Sequence, residues 1–279
     1  FLFRNKDGFW KRISETDPWY PDCLHYVPAF RASLWVLILL AELEADRNDH
    51  RVTKVLEEVK NHLYDPGSGI YSLRENHFPI PCLNGNMVYI DGYFNDTPDS
   101  RTLSVLNYFA QNQRFDDGQY EAPKSKLCRN TSCYGRHTCY WGIVKLLKGI
   151  SFLPEKYRSP EIADLRNRCV NFVLKHQVCY RSHDPERIMI AKMDLLTFPN
   201  MYKSDFLEIL WILKREKVWS ENMAKALHLL KSKRRADGTW PLERKISNLV
   251  VSVGQPGQPN PFITKRAREV LGHCDEITS

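Results

Sequence analysis

One short pattern limits the fold of this chain more than any other feature. An acidic residue and a glycine, closely followed by an aromatic, return along it at similar spacing. The copies read NKDGFW (5–10), DPGSGIY (65–71), FDDGQY (115–120) and RADGTW (235–240). Gly8 to Gly69 is 61 residues, Gly69 to Gly118 is 49, and Gly118 to Gly238 is 120, which is room for two units. One copy is therefore expected to be degenerate, and CYRSHDPERI (179–188) falls where it belongs. A period of this length marks a chain built by stacking one supersecondary unit on the next.

Around each turn the hydrophobic pattern is helical. VTKVLEEVKNHLY (52–64), RTLSVLNYFAQNQ (101–113), EIADLRNRCVNFVLKHQ (161–177) and NMAKALHLLKSK (222–233) set apolar residues at steps of three and four, and each precedes a turn. A second, more apolar set follows the turns: SLWVLILLAELEA (33–45), NGNMVYIDGYF (84–94), TCYWGIVKLLKGI (138–150), SDFLEILWILKRE (204–216) and TKRAREVLGH (264–273). Several open on Ser, Thr or Asn, which suits an N-cap. No stretch alternates as a strand should, so the chain is expected to be all-α. Amphipathic and strongly apolar helices in turn are the layout of an α/α toroid, with the apolar set as the inner ring. We expect about five helix-pair repeats in a single domain over 1–279, an arc or incomplete ring whose first outer helix is missing.

Composition sets the outer bounds. The 279 residues are 43% hydrophobic and 26% charged, as in an ordinary globular protein able to bury a sizeable core. The longest apolar run, LWVLILLA (34–41), falls well short of the roughly 20 residues of a membrane span. The chain opens on Phe1 rather than Met, so an upstream segment is expected, with any targeting signal in it; a cytoplasmic location is the reading. Its net charge of +7 favours anionic partners and leaves room for peripheral contact with a membrane surface. The basic residues are scattered, however, with KSKRR (231–235) the densest cluster. No nucleic-acid-binding signature is present, so a solvated basic surface and no nucleic-acid partner are expected.

QNQRFDDGQY and KSKRRADGTW carry a resemblance to the prenyltransferase and squalene-oxidase (QW-type) repeat. Protein prenyltransferase β subunits and squalene–hopene-type terpenoid cyclases share that repeat, and the likeness runs from NKDGFW onward. It implies an α/α toroid, an aromatic cavity for an isoprenoid chain and basic side chains for a prenyl diphosphate. Protein prenyltransferase β subunits bind zinc through an Asp-x-Cys pair on one inner helix and a His-Thr-Cys-Tyr segment on another. HTCY occurs here at 137–140, while the Asp-x-Cys pair is absent. Aligned this way, the neighbouring inner helices offer Cys82 and Asp205. Toroid lanthionine cyclases are similar, with one Cys on one inner helix and a Cys–His pair on the next.

The residues themselves point to the same segment. Eight cysteines sit at 23, 82, 128, 133, 139, 169, 179 and 274. Most are expected to be reduced, with Cys169 an ordinary core residue. Cys133, His137 and Cys139 lie within seven residues of one another, at the mouth of an apolar helix, where the dipole favours thiolate. Zinc needs three or four soft donors at about 2.0–2.3 Å, and Cys82, Cys133, His137 and Cys139 are the candidate ligands. A disulfide among Cys128, Cys133 and Cys139, or uncoordinated thiols, are the alternatives. Four ligands would make a closed structural site; three would leave a position for a substrate.

Two further groups are candidate catalytic residues. His183 beside Asp184 could form an oriented base, although Asp184-Pro185 is equally a plain turn signal. Asp205 opens an inner helix as either an N-cap neighbour or a cavity acid. The Asp-x-Asp-Asp acid of isoprenoid-protonating cyclases is absent, and DDGQY (116–120) is a turn rather than a DDxxD motif. The leading expectation is thus a zinc-binding protein of the prenyltransferase or cyclase class handling an isoprenoid. The alternatives are a non-catalytic toroid whose structural zinc supports partner binding, and a toroid acting on a polysaccharide.

Overall fold

The computed structural model describes residues 25–26, 29–73, 79–121, 133 and 135–278, with the backbone alone for 273–278. The first glycine–aromatic turn (5–10), Cys23 and Cys128 lie outside the described residues. Among them are nine α-helices and one two-stranded ribbon, so the chain is all-α in class. The helices are α1 (Ser33–Glu42), α2 (His50–Leu63), α3 (Pro81–Phe94), α4 (Ser100–Asn112), α5 (Tyr140–Phe152), α6 (Pro160–Lys175), α7 (Phe206–Arg215), α8 (Ala224–Ser232) and α9 (Pro261–Thr278).

Two kinds of helix alternate, as the two hydrophobic patterns require. Nearly every residue of α1, α3, α5 and α7 is buried, whereas α2, α4 and α8 bury one face each. The N-caps differ from expectation in residue type. Asp49, Asp99 and Asp205 hold the first turns of α2, α4 and α7 by accepting from the amides of Arg51, Thr102 and Glu208. Aspartate adds charge to the cap, which the positive end of the helix dipole favours. α3 begins at Pro81, earlier than periodicity alone indicates, because proline needs no hydrogen-bond partner at the first helical position.

The turns repeat structurally. The ribbon pairs β1 (Tyr64–Asp65) with β2 (Ile70–Tyr71), antiparallel, around Gly69. Single antiparallel bridges recur at the later turns: Asp117 with His137, Tyr180 with Ile188, and Pro241 with Pro259. The degenerate copy at 179–188 therefore closes as the others do. Gly69, Gly118 and Gly238 all have positive φ, which is why glycine recurs there. The motif aromatic tethers the turn to the preceding helix: Trp240 Nε1 donates to the Leu230 carbonyl in α8 at 2.7 Å.

The chain divides into two compact units. The first is Phe1–Arg166 with Asn248–Val250; the second is Asn167–Ser247 with Val251–Ser279. The core of the first unit contains charge as well as hydrocarbon. Lys148 of α5 and Glu42 of α1 pair at 2.6 Å with no exposure of either side chain. The Tyr89 hydroxyl donates to the same Glu42 oxygen, and Lys148 lies 4.0 Å from the Tyr89 ring centroid. Lys60 of α2 meets Asp91 of α3 at 2.6 Å and the α4 cap Asp99 at 2.7 Å. These pairs bind α1, α3 and α5, and α2, α3 and α4, into fixed sets.

No helix among the described residues is long and apolar enough to cross a membrane.

Candidate functional site

Helices α3 and α5 approach backbone to backbone, and this contact builds the site. A Cβ at Gly85 would sit 2.5 Å from the Leu146 nitrogen, and one at Gly149 would sit 2.8 Å from the Gly85 carbonyl oxygen. At the N-terminal ends Gly142 faces Pro81, where a Cβ would come within 2.7 Å of the proline ring. Cys82 lies in the first turn of α3 and Cys139 is the N-cap residue of α5. The glycine seam thus carries both sulfurs to the same end of the helix pair.

Cys133 stands against Cys139. Its S–H donates to the Cys139 sulfur, which also accepts from the amides of Gly142 and Trp141 at the start of α5. The Cys133 hydrogen bond is the main cause that draws the Cys139 thiol down to about 7, against the opposing cost of burial. Cys133 is pushed up, first because it donates to Cys139 and then by burial. Burial, followed by the Cys139 charge, raises Cys82 to about 12, while Lys145 pulls the other way. The Cys133–Cys139 contact thus favours thiolate at Cys139, while Cys82 stays a thiol beside the buried Lys145.

A cleft of about 60 Å³ opens beside Cys133 and Cys139, walled by Pro79, Pro81, Tyr108 and Phe109. It has the volume of about two liquid waters. The donor type fits zinc. Two sulfurs in thiol–thiolate contact stand about as far apart as two ligands across a tetrahedral zinc, roughly 3.8 Å for Zn–S bonds of about 2.3 Å. Among the described residues, however, no three His, Cys, Asp or Glu side chains are already drawn together as a metal cage. A shared ion would have to pull Cys82 inward.

Each of the other candidates is held by partners of its own. His137 is two-thirds exposed, with its Nδ1 3.5 Å from Asp117 Oδ1. The bridge between 117 and 137 holds its ring over Gly118. His183 is exposed on its turn, and Asp184 pairs with Arg187 at 3.2 Å. Asp205, in the second unit, is 2% exposed and enclosed by backbone. One oxygen accepts from Thr197 N at 2.6 Å and the other from Glu208 N at 2.8 Å.

Burial pushes the Asp205 carboxyl up to about 7, although the Glu208 and Thr197 amides and the Arg266 charge oppose the rise. The folded protein therefore holds a proton that the unfolded chain, with an ordinary carboxyl near ~4, has released. Asp205 contributes stability that is fully present below about pH 4 and is lost as pH rises through about 7. Asp205→Asn is expected to flatten the decline in urea stability between those limits, by up to ~1.4 kcal/mol per pH unit. An unchanged slope in the variant would contradict the assignment.

Sequence reasoning missed Lys145, which enters the electrostatics of Cys82, and the Glu42–Lys148 pair. The available signal was two lysines three apart, 145 and 148, inside an otherwise apolar helix.

No protein-family model and no curated protein matches this chain.

Proposed function

We propose that the chain is a zinc-stapled helical repeat protein, an arc of an α/α toroid, that acts by binding a partner rather than by catalysis. In this reading Cys82, Cys133 and Cys139 hold one zinc ion that fastens the start of α3 to the start of α5. The observation that carries it is the Cys133–Cys139 thiol contact at the start of α5, with Cys82 of α3 near enough to feel the Cys139 charge, at the end of the glycine seam. Zinc would replace a shared proton by a full cation, which relieves the repulsion that three deprotonated sulfurs would otherwise suffer.

A second reading has one specific support. The wall of Pro79, Pro81, Tyr108 and Phe109 beside Cys139 is apolar and aromatic, as an isoprenoid-handling enzyme of the prenyltransferase or cyclase class requires. Its size favours the first reading, since about 60 Å³ is far below the roughly 300–1,000 Å³ of ligand pockets. In the enzyme the ion would hold a substrate thiolate in its open position.

Thermal unfolding before and after treatment with a strong chelator separates the two. A structural zinc predicts a fall in midpoint of more than ~10 °C on chelation, reversed by zinc. Farnesyl diphosphate should raise the midpoint no more than inorganic diphosphate does. A midpoint indifferent to chelation but raised by farnesyl diphosphate beyond the effect of inorganic diphosphate would replace this proposal with the enzyme.

A further inference from the structure

The charge of this chain is divided unevenly. The first unit carries 21 Lys and Arg against 21 Asp and Glu, whereas the second carries 19 against 12, so the whole +7 lies in the second. Part of that excess collects around one open cleft of about 570 Å³. Its lining includes Pro259, Pro261, Thr264, Lys265, Arg268 and Glu269.

Three segments form this cleft, and hydrogen bonds hold them together. The turn after α8 meets the start of α9, with Trp240 N donating to Thr264 Oγ1 at 3.0 Å and Asn260 N to the Trp240 carbonyl at 2.9 Å. Arg268 reaches the Gly238 carbonyl at 3.4 Å, and Arg235 the Gly257 carbonyl at 3.2 Å. Lys265 and Arg268 are exposed in the cleft, and Arg234 and Arg235 are exposed on the adjoining turn. Two acids are nearby, and both are engaged. Asp237 accepts from Thr239 and lies 3.8 Å from Arg235, and Glu269 accepts from Trp211 Nε1 at 2.8 Å. The helix end itself is not the attraction, because Asn260 Oδ1 already caps the amides of Phe262 and Ile263.

We propose that this cleft binds a phosphate-bearing anion. Guanidinium forks match phosphate oxygens in pairs, and the volume lies within the range of small-ligand sites. Concave walls of Pro259 and Pro261 suit a compact phosphorylated group, whereas a duplex needs a long track of cations. The site is independent of the cysteine cluster, which belongs to the other unit.

Titration calorimetry of the full chain with inorganic tripolyphosphate tests it. Wild type should bind, and Lys265→Glu/Arg268→Glu should weaken binding at least tenfold. The milder Lys265→Ala/Arg268→Ala should fall between them, with circular dichroism unchanged. Lys54→Glu, an exposed charge of the first unit, should bind as wild type does. Vesicles containing phosphatidylinositol bisphosphate identify the source. Binding that the charge reversal abolishes assigns a lipid headgroup; tripolyphosphate binding alone assigns a soluble ligand, and both support the site. No heat with tripolyphosphate, binding that survives the charge reversal, or binding of a DNA duplex alone would overturn it.

Discussion

Alanine at position 85 is expected to destabilise the first unit by about 3 kcal/mol or more, the upper end of what overpacking costs. The added methyl would meet backbone, 2.5 Å from the Leu146 nitrogen and closer still to the Lys145 carbonyl carbon. Side chains can turn aside, but a helix backbone moves only as a body. α3 and α5 would therefore separate along the seam that brings Cys82 and Cys139 together. Gly85→Ala should lower both the urea midpoint and the metal content. Gly272→Ala is the control, since nothing lies within 4 Å of its added methyl. That change should be neutral or stabilise α9 by up to ~1 kcal/mol, through helix propensity alone. A Gly85→Ala protein as stable as wild type would mean that the helices do not touch as described.

The second large effect concerns the buried ion pair. Glu42→Ala leaves the Lys148 ammonium without its carboxylate and removes the acceptor of the Tyr89 hydroxyl. Breaking such a pair from one side costs about 3–5 kcal/mol, most of it the burial of the charge left behind. Removing both charges behaves differently. Glu42→Leu/Lys148→Met should recover most of the loss and could match wild type, because two well-packed hydrophobic side chains need no desolvation. A cycle of urea titrations on the two single variants and the double variant measures the coupling. Additive losses would show that Glu42 and Lys148 do not depend on each other.

These two contacts also mark how far the chain could be read unaided. The glycine–aromatic turns were legible because a positive φ demands glycine whatever surrounds it, and the alternation of apolar and amphipathic helices followed from periodicity. Even the degenerate copy at 179–188 was placed by arithmetic alone. Asp205 was recognised as opening an inner helix, but its enclosure by Thr197 and Glu208 amides depends on how the preceding loop folds back. His137 shows the same limit. Its proximity to Cys133 and Cys139 is a matter of chain distance, and its direction is set by pairing with Asp117, twenty residues earlier. Lys145 and Lys148 drew no expectation from the sequence because the groups they act on, Cys82 and Glu42, come from other helices. The +7 charge was visible as a sum, but its confinement to one unit required the boundary at Arg166.

The central claim is that Cys82 of α3, Cys139 at the start of α5 and Cys133 of the segment before it share one metal ion, and cobalt substitution tests it most directly. The protein would be stripped of metal, titrated with cobalt(II) and read by near-ultraviolet thiolate-to-cobalt charge transfer, whose intensity scales with the number of sulfur ligands. We predict saturation at one cobalt per chain, with the band falling by roughly a third in each of Cys82→Ser, Cys133→Ser and Cys139→Ser. In His137→Ala the band should be unchanged. Wild-type protein that binds no cobalt, or a band indifferent to all three cysteine substitutions, would contradict the account.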